Sequence, residues 1–417
     1  MNRTILIILS LVLLLTACAV PDRAVEDPHG NELPVQSTQP VPQPPEEVPP
    51  EEPTEEEPPE EPPPPDPREE TVTAIMERMT LEEKVGQLFF VRCPAADQIK
   101  KIEQYHLGGY LLFTRDFKQA DGTWLTEAAF LAMIASYQAA AAIPLLIGVD
   151  EEGGSVARAS RNPNLFPEKR KSPQTVYQSG GMEAVLQDTY AYNSRLLALG
   201  INVNFAPVAD VSANESDFIY DRTIGLSAAD TAAYIAAVIE AMNQCQAGDT
   251  LRPIGSVLKH FPGYGNNVDT HTGIAVDDRP YETFLSEDFL PFATGIKAGA
   301  GAVLVSHNLV TCMDASLPAS LSYEVHRILR EELRFEGVIL TDDLAMDAVK
   351  PYADNGEAAV LALLAGNSMI VTTDFEAQIP EVLAAIERGD LSLEIIDNAL
   401  RYVLYWKYDL GLLGELP

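Results

Sequence analysis

Eight short apolar runs constrain this chain more than any other feature. They occupy residues 87–91, 109–113, 145–149, 202–206, 255–258, 302–305, 338–340 and 368–372. Their length and composition suit strands, and Ala- and Leu-rich helical stretches such as 126–140 and 281–298 lie between several of them. Strands alternating with helices imply parallel pairing, because parallel neighbours need crossover connections. About eight such units predict a closed (β/α)8 TIM-type barrel. An open doubly wound sheet is the second choice, but no Gly-x-Gly-x-x-Gly follows an early run.

Polar residues at the ends of the runs support the barrel independently. Asp150 follows the third and Asp210 the fourth; Lys259-His260 ends the fifth and Ser306-His307 the sixth; Asp342-Asp343 ends the seventh and Asp374 the eighth. In a barrel these carboxyl ends converge on one face, where active sites sit. A further helix is expected over 71–83, with Val72, Ile75, Met76 and Met79 on one face.

The first part of the chain has a different character. Asn2-Arg3 and the apolar run from Ile5 to Leu15 read as an export signal too short to span a bilayer comfortably. It ends in Leu15-Thr16-Ala17-Cys18, a pattern resembling a bacterial lipobox, in which Cys18 would become the lipidated N-terminus. Residues 18–67 are rich in Pro and Glu and poor in large apolar side chains, so they are expected to be disordered and extended. The expected organisation is therefore a signal peptide over 1–17, a linker over 18–67 and a barrel domain over 68–417. It places the domain outside the cytoplasm, held to the membrane by lipid only.

Formal net charge is -34, with 28 Lys and Arg against 62 Asp and Glu. No basic stripe is available to neutralise phosphates, which argues against a nucleic-acid partner. With Cys18 lipidated, three cysteines remain, at 93, 245 and 312. They form neither a disulfide framework nor a metal-ligand cluster and read as small buried apolar residues. No metal or organic cofactor is expected, and the domain is expected to be a monomer.

Chemistry concentrates in two segments. Thr341-Asp342-Asp343-Leu344 places carboxylates directly after a buried strand. A rigid, ionised carboxylate suits attack on a sugar's anomeric carbon. Asp342 is the favoured attacker, and its neighbour can cap the following helix. The segment from Lys259 to His271 carries Lys259-His260 on a strand end, turns on Pro262, Gly263 and Gly265, and closes with Asp269-Thr270-His271. Asp269 beside His271 would orient the imidazole and stabilise its protonated form, so that the ring can act as acid and then base. Lys259 and His260 suit sugar hydroxyls. Asp150 precedes Glu151-Glu152-Gly153-Gly154 and can grip paired hydroxyls, with Arg158 and Arg222 as further cations. His307 either lines the site or bonds within the fold.

Taken together and in order, the segments from Ile143 to Gly154, from Asn204 to Val211, Asp221-Arg222, Lys259-His260-Phe261-Pro262-Gly263 and Thr341-Asp342-Asp343-Leu344 resemble the family 3 glycoside hydrolases, in their bacterial β-N-acetylhexosaminidase branch. The similarity covers residues 70–413. The resemblance implies a barrel with Asp342 as nucleophile, His271 as acid/base, Asp269 as its partner, and Asp150, Arg158, Arg222, Lys259 and His260 as sugar-binding positions. It implies a retaining, exo-acting enzyme that releases terminal β-N-acetylglucosamine from amino-sugar oligosaccharides or muropeptides. Since the sequence stops soon after Leu413, the single-domain type is expected. Two departures bear on the loop: Tyr264 stands where the family has His in Pro-Gly-His-Gly, and Thr270 replaces Ser. A β-glucosidase, a β-xylosidase, a glycoside phosphorylase or a catalytically silent sugar-binding lipoprotein are the alternatives.

Overall fold

A computed structural model describes residues 66–414 apart from 249, 271–272 and 355. The signal sequence, Cys18, nearly all of the linker and His271 lie outside the described residues.

The first helix, α1 (Pro67–Met76), opens where the Asp66 side chain accepts the Arg68 N–H at 2.9 Å. The helix expected over 71–83 is in fact two. Thr80 and Glu83 form a reciprocal capping box, so α2 starts afresh at Leu81 and runs to Gln87. A Thr-x-x-Glu spacing satisfies two orphan N–H groups at once, and that local gain outweighs helix continuity.

Eight strands follow: β1 (Phe89–Arg92), β2 (Gly109–Leu112), β3 (Leu146–Val149), β4 (Val203–Asn204), β5 (Gly255–Phe261), β6 (Ala302–Val305), β7 (Val338–Thr341) and β8 (Ile370–Thr372). Each pairs in parallel with the next from β1 to β7, and β8 pairs with β1. A parallel bridge between Leu340 and Met369 closes the ring. This is the expected (β/α)8 barrel. The chief difference is β5, which continues through Phe261 and is buried along its whole length. Lys259 and His260 therefore sit within a strand and not just past one. The stretch expected as helix over 281–298 contains a π turn at Phe284–Asp288, just before Pro291, which supplies no N–H to the ladder.

The barrel interior is packed with side chains. The Phe90 and Phe205 rings meet edge to face at 5.2 Å. Gly148 makes room for them, since a Cβ there would lie 2.6 Å from the Phe90 ring. Phe205, just past β4, joins Leu111, Leu304 and Val371 at or near the ends of β2, β6 and β8 in lining one cavity. Layers drawn from alternate strands are how such barrels fill, and this layer is the cavity's floor. Cys93 and Cys245 are buried as expected, but Cys312 is exposed, on the loop that follows a two-residue strand at Leu309–Val310.

Candidate active site

The floor supports a cavity of about 230 Å³, lined by Asp150, Arg158, Arg222, Lys259, His260, Asp342 and Asp343. Larger hollows of about 370 and 720 Å³ exist, but residues that precede strands line them, such as Gln87, Ile143 and Ser368. The smaller cavity is the one at the carboxyl ends, where strand-borne chemistry converges. Six of the sequence-predicted site residues thus meet in one place. Asp269 lies half-buried on the adjoining loop.

A buried ion network forms one wall. Lys259 Nζ lies 2.7 Å from Asp150 Oδ1 and 2.5 Å from Glu152 Oε1. Arg222 grips Glu152 with two parallel bonds, Nε to Oε2 at 2.9 Å and Nη2 to Oε1 at 2.8 Å. Its Nη2 also lies 3.1 Å from His260 Nε2, while His260 Nδ1 lies 2.7 Å from Asp210 Oδ2. Burial pushes the Glu152 carboxyl up, but Arg222 and Lys259 outweigh it and hold the group well below the usual carboxylate range. Burial alone would pull the Lys259 ammonium down; Asp150 and Glu152 reverse this and raise it. Lys259 is therefore a fixed cation, and Asp150 presents an oriented carboxylate to the cavity.

Glu152 was not singled out from the sequence, although it anchors two of the predicted residues. The signal was there: three acids in succession after an apolar strand cannot all be buried without dedicated cations. Glu151, the middle one, turns away and accepts the N–H groups of Arg158 and Ala159 at 2.9 and 2.7 Å. It thereby fixes the loop that carries Arg158. Removing charge from Glu152 leaves two buried cations underpaired. Glu152→Gln is expected to cost about 3 kcal/mol or more in stability and to raise KM; urea unfolding and steady-state kinetics check both effects.

The two aspartates after β7 differ. Asp343 accepts the N–H groups of Ala345 and Thr373 at 3.0 Å each and the Thr373 hydroxyl at 2.6 Å. It holds the turn after β7 against the end of β8. Asp342 is half-buried at the cavity, and its Oδ1 accepts the Asp343 N–H at 2.8 Å. His307 is fully buried between the Ser320 hydroxyl, 2.7 Å away, and the Asp343 carbonyl oxygen, 3.1 Å away. It supports the fold around Asp343 and is not among the cavity-lining residues.

The loop after β5 has its own anchorage. The Tyr264 N–H donates to Asp210 Oδ1 at 2.7 Å, and the Tyr264 hydroxyl accepts the Thr270 N–H at 3.0 Å. Burial pushes this hydroxyl up to about 12, so it stays protonated. The two departures from the family pattern are thus partners, with the tyrosine tying down the residue next to Asp269 and His271. At Gly263, where φ is +129°, a Cβ would fall 2.2 Å from Asp288 Oδ1. Asp288 in turn binds Arg279 at 2.9 Å, beneath the loop.

Residues 80–405 match the model of the glycosyl hydrolase family 3 N terminal domain. The chain belongs to this family. It is a glycoside hydrolase, and its substrate is a glycan. A protein of Xylella fastidiosa (strain M23) named beta-hexosaminidase is 30% identical over 326 residues, covering 77% of this chain and 92% of that one. Among solved structures, a family 3 β-N-acetylglucosaminidase from Paenibacillus sp. strain FPU-7 aligns with a TM-score of 0.73 and 30% identity. That alignment covers 81% of this chain and 64% of the larger Paenibacillus protein. A family 3 glycosyl hydrolase of Mycobacterium smegmatis aligns with a TM-score of 0.69 and 27% identity over 82% of this chain and 99% of its own.

Proposed function

We propose that this hydrolase is a retaining, exo-acting β-N-acetylhexosaminidase that releases terminal β-N-acetylglucosamine through a covalent glycosyl-Asp342 intermediate. The observation that carries the reading is the division of labour after β7. Asp343 is committed to Ala345 and Thr373, while Asp342 faces the cavity that also holds Asp150 and Lys259. The beta-hexosaminidase name of the Xylella relative supports the choice of sugar.

In the first step an Asp342 oxygen bonds to the anomeric carbon, the glycosidic C–O bond breaks, and His271 gives its proton to the leaving oxygen. In the second, His271 takes a proton from water, the water oxygen bonds to the anomeric carbon, and Asp342 departs. Asp150, with Lys259, His260 and Arg222 behind it, holds the sugar's hydroxyls. Asp269 orients His271. The natural glycan is a peptidoglycan fragment or a related amino-sugar polymer, met outside the cytoplasmic membrane by a domain tethered through lipid at Cys18.

A panel of aryl β-glycosides tests the sugar choice. The N-acetylglucosaminide is expected to be turned over with the highest kcat/KM. Preference for the glucoside or xyloside would reassign the specificity. Formation of a sugar phosphate in phosphate buffer would make the enzyme a phosphorylase.

A further inference from the structure

The loop that carries Asp269 and His271 runs from Gly263 to Asp277, and burial does little to place it. Its large aliphatic side chains, Val268, Ile274 and Val276, are exposed. Polar ties hold it instead, and several of them converge on one side chain. Arg279 is half-buried just past the loop. Its Nε lies 3.0 Å from Asp277 Oδ1 and its Nη2 lies 2.8 Å from Asp277 Oδ2, a forked pair of bonds to the loop's far end. Its Nη1 donates to Asp288 Oδ2 at 2.9 Å, and Asp288 is the residue against which Gly263 lies at the near end. Gly265 closes over the same guanidinium: its φ is +54°, and a Cβ there would fall 2.6 Å from Arg279 Cζ. Asn267, two residues before Asp269, donates from Nδ2 to Asp277 Oδ2 at 3.0 Å. The Arg279 guanidinium carbon also lies 4.4 Å from the centre of the Phe284 ring.

We propose that Arg279 is a positioning residue for the acid/base step: by clasping the two ends of this loop it sets where His271 meets the leaving oxygen. This rests on the reading above, in which His271 is the acid, and adds the group that holds it in register. Asp277 and Asp288 are both buried, and two buried acids brought together need a cation between them. A planar guanidinium can bond both at once, whereas an ammonium is a point charge without a fork. A loop whose ends are close and joined holds its tip in one place. With the clasp loosened the ends part, and a misplacement of about 1 Å costs a reacting group on the order of 10²-fold in rate. Arg279 is not among the cavity-lining residues, so it acts only through what the loop delivers.

The test uses two aryl β-N-acetylglucosaminides that differ in leaving group. A dinitrophenolate departs without a proton, while a methoxyphenolate needs one, and kcat/KM reports the step in which His271 acts as acid. Arg279→Lys, which keeps the charge and loses the fork, is expected to lower kcat/KM by about 10- to 100-fold on the methoxyphenyl substrate and by less than about threefold on the dinitrophenyl one. Azide, which attacks the glycosyl-enzyme without help from a base, is expected to raise this variant's kcat on the dinitrophenyl substrate. Asn267→Ala breaks one tie and leaves the ion pairs in place; the same contrast is expected at about three- to tenfold. It decides the matter should Arg279→Lys fail to fold. A residue that only supports the fold lowers both substrates alike, so equal losses on the two, or none on either, overturn the proposal. His271→Ala separates this inference from the reading beneath it. If His271→Ala shows the leaving-group contrast and the other two variants do not, the clasp alone falls. If His271→Ala itself loses equally on both substrates, the acid assignment falls and this inference with it.

Discussion

Asp342→Asn is expected to lose about 10⁴-fold or more in kcat on an aryl β-N-acetylglucosaminide, because a nucleophile that forms the covalent bond has no substitute in its site. Its unfolding midpoint is expected to hold or rise, since the substitution removes a charge from a cavity that also contains Asp150 and Asp343. Asp343→Asn gives the contrasting pattern. That carboxylate accepts three hydrogen bonds that fix the end of β8. Losing its charge is expected to cost about 1–2 kcal/mol of stability, with a loss of activity far smaller than that of Asp342→Asn. Two chemical readouts accompany the kinetics. A 2-deoxy-2-fluoro glycoside should leave its sugar on the peptide containing Asp342. Azide added to Asp342→Ala should attack the vacated face and yield the α-glycosyl azide. An adduct mapped to another carboxylate, or several per cent of wild-type turnover in Asp342→Asn, would remove Asp342 from the role.

How far the sequence revealed this site depended on whether a residue's neighbours were local. Asp150, Lys259, His260 and Asp342 were found because a strand end fixes both where a side chain sits and which way it faces, and the strand pattern is a short-range signal. The barrel itself was legible for the same reason. Glu152 was passed over because its meaning lies in Arg222, 70 residues away, and in Lys259 on another strand. Tyr264 looked like a bare departure from a family pattern until its bond to Thr270 gave it a purpose. The split between α1 and α2 is the opposite case. Its capping box was written in four consecutive residues, and the apolar periodicity running across it concealed the break.

Lys407→Met is expected to stabilise the barrel and to change how its stability responds to pH. Lys407 belongs to the helix Leu393–Asp409 and is completely buried. Its ammonium meets a neutral partner, Gln87 Oε1, at 2.6 Å, and Gln87 donates in turn to the carbonyl oxygens of His106 and Leu107 at 2.8 and 3.2 Å. Burial pushes the amine down to about 7. In the unfolded chain the same group titrates near 10.4. Between these two values the unfolded chain holds a proton that the folded chain has released, so this lysine makes stability climb as pH rises through the window. Below the folded value both states are protonated, and the destabilisation is complete, on the order of 4 kcal/mol. Methionine has a similar shape and carries no charge, so it removes that cost. It also leaves the Gln87 oxygen unpaired, at about 1–3 kcal/mol, and a net gain of about 1–3 kcal/mol remains near neutral pH. The decisive measurement is the difference in unfolding free energy between variant and wild type from pH 6 to pH 10, which cancels every other titrating group. It should be largest at the acid end and shrink steadily toward pH 10. A difference that stays flat across this range would mean that Lys407 remains charged in the fold, and that Gln87 with its two carbonyls compensates the charge far better than burial suggests.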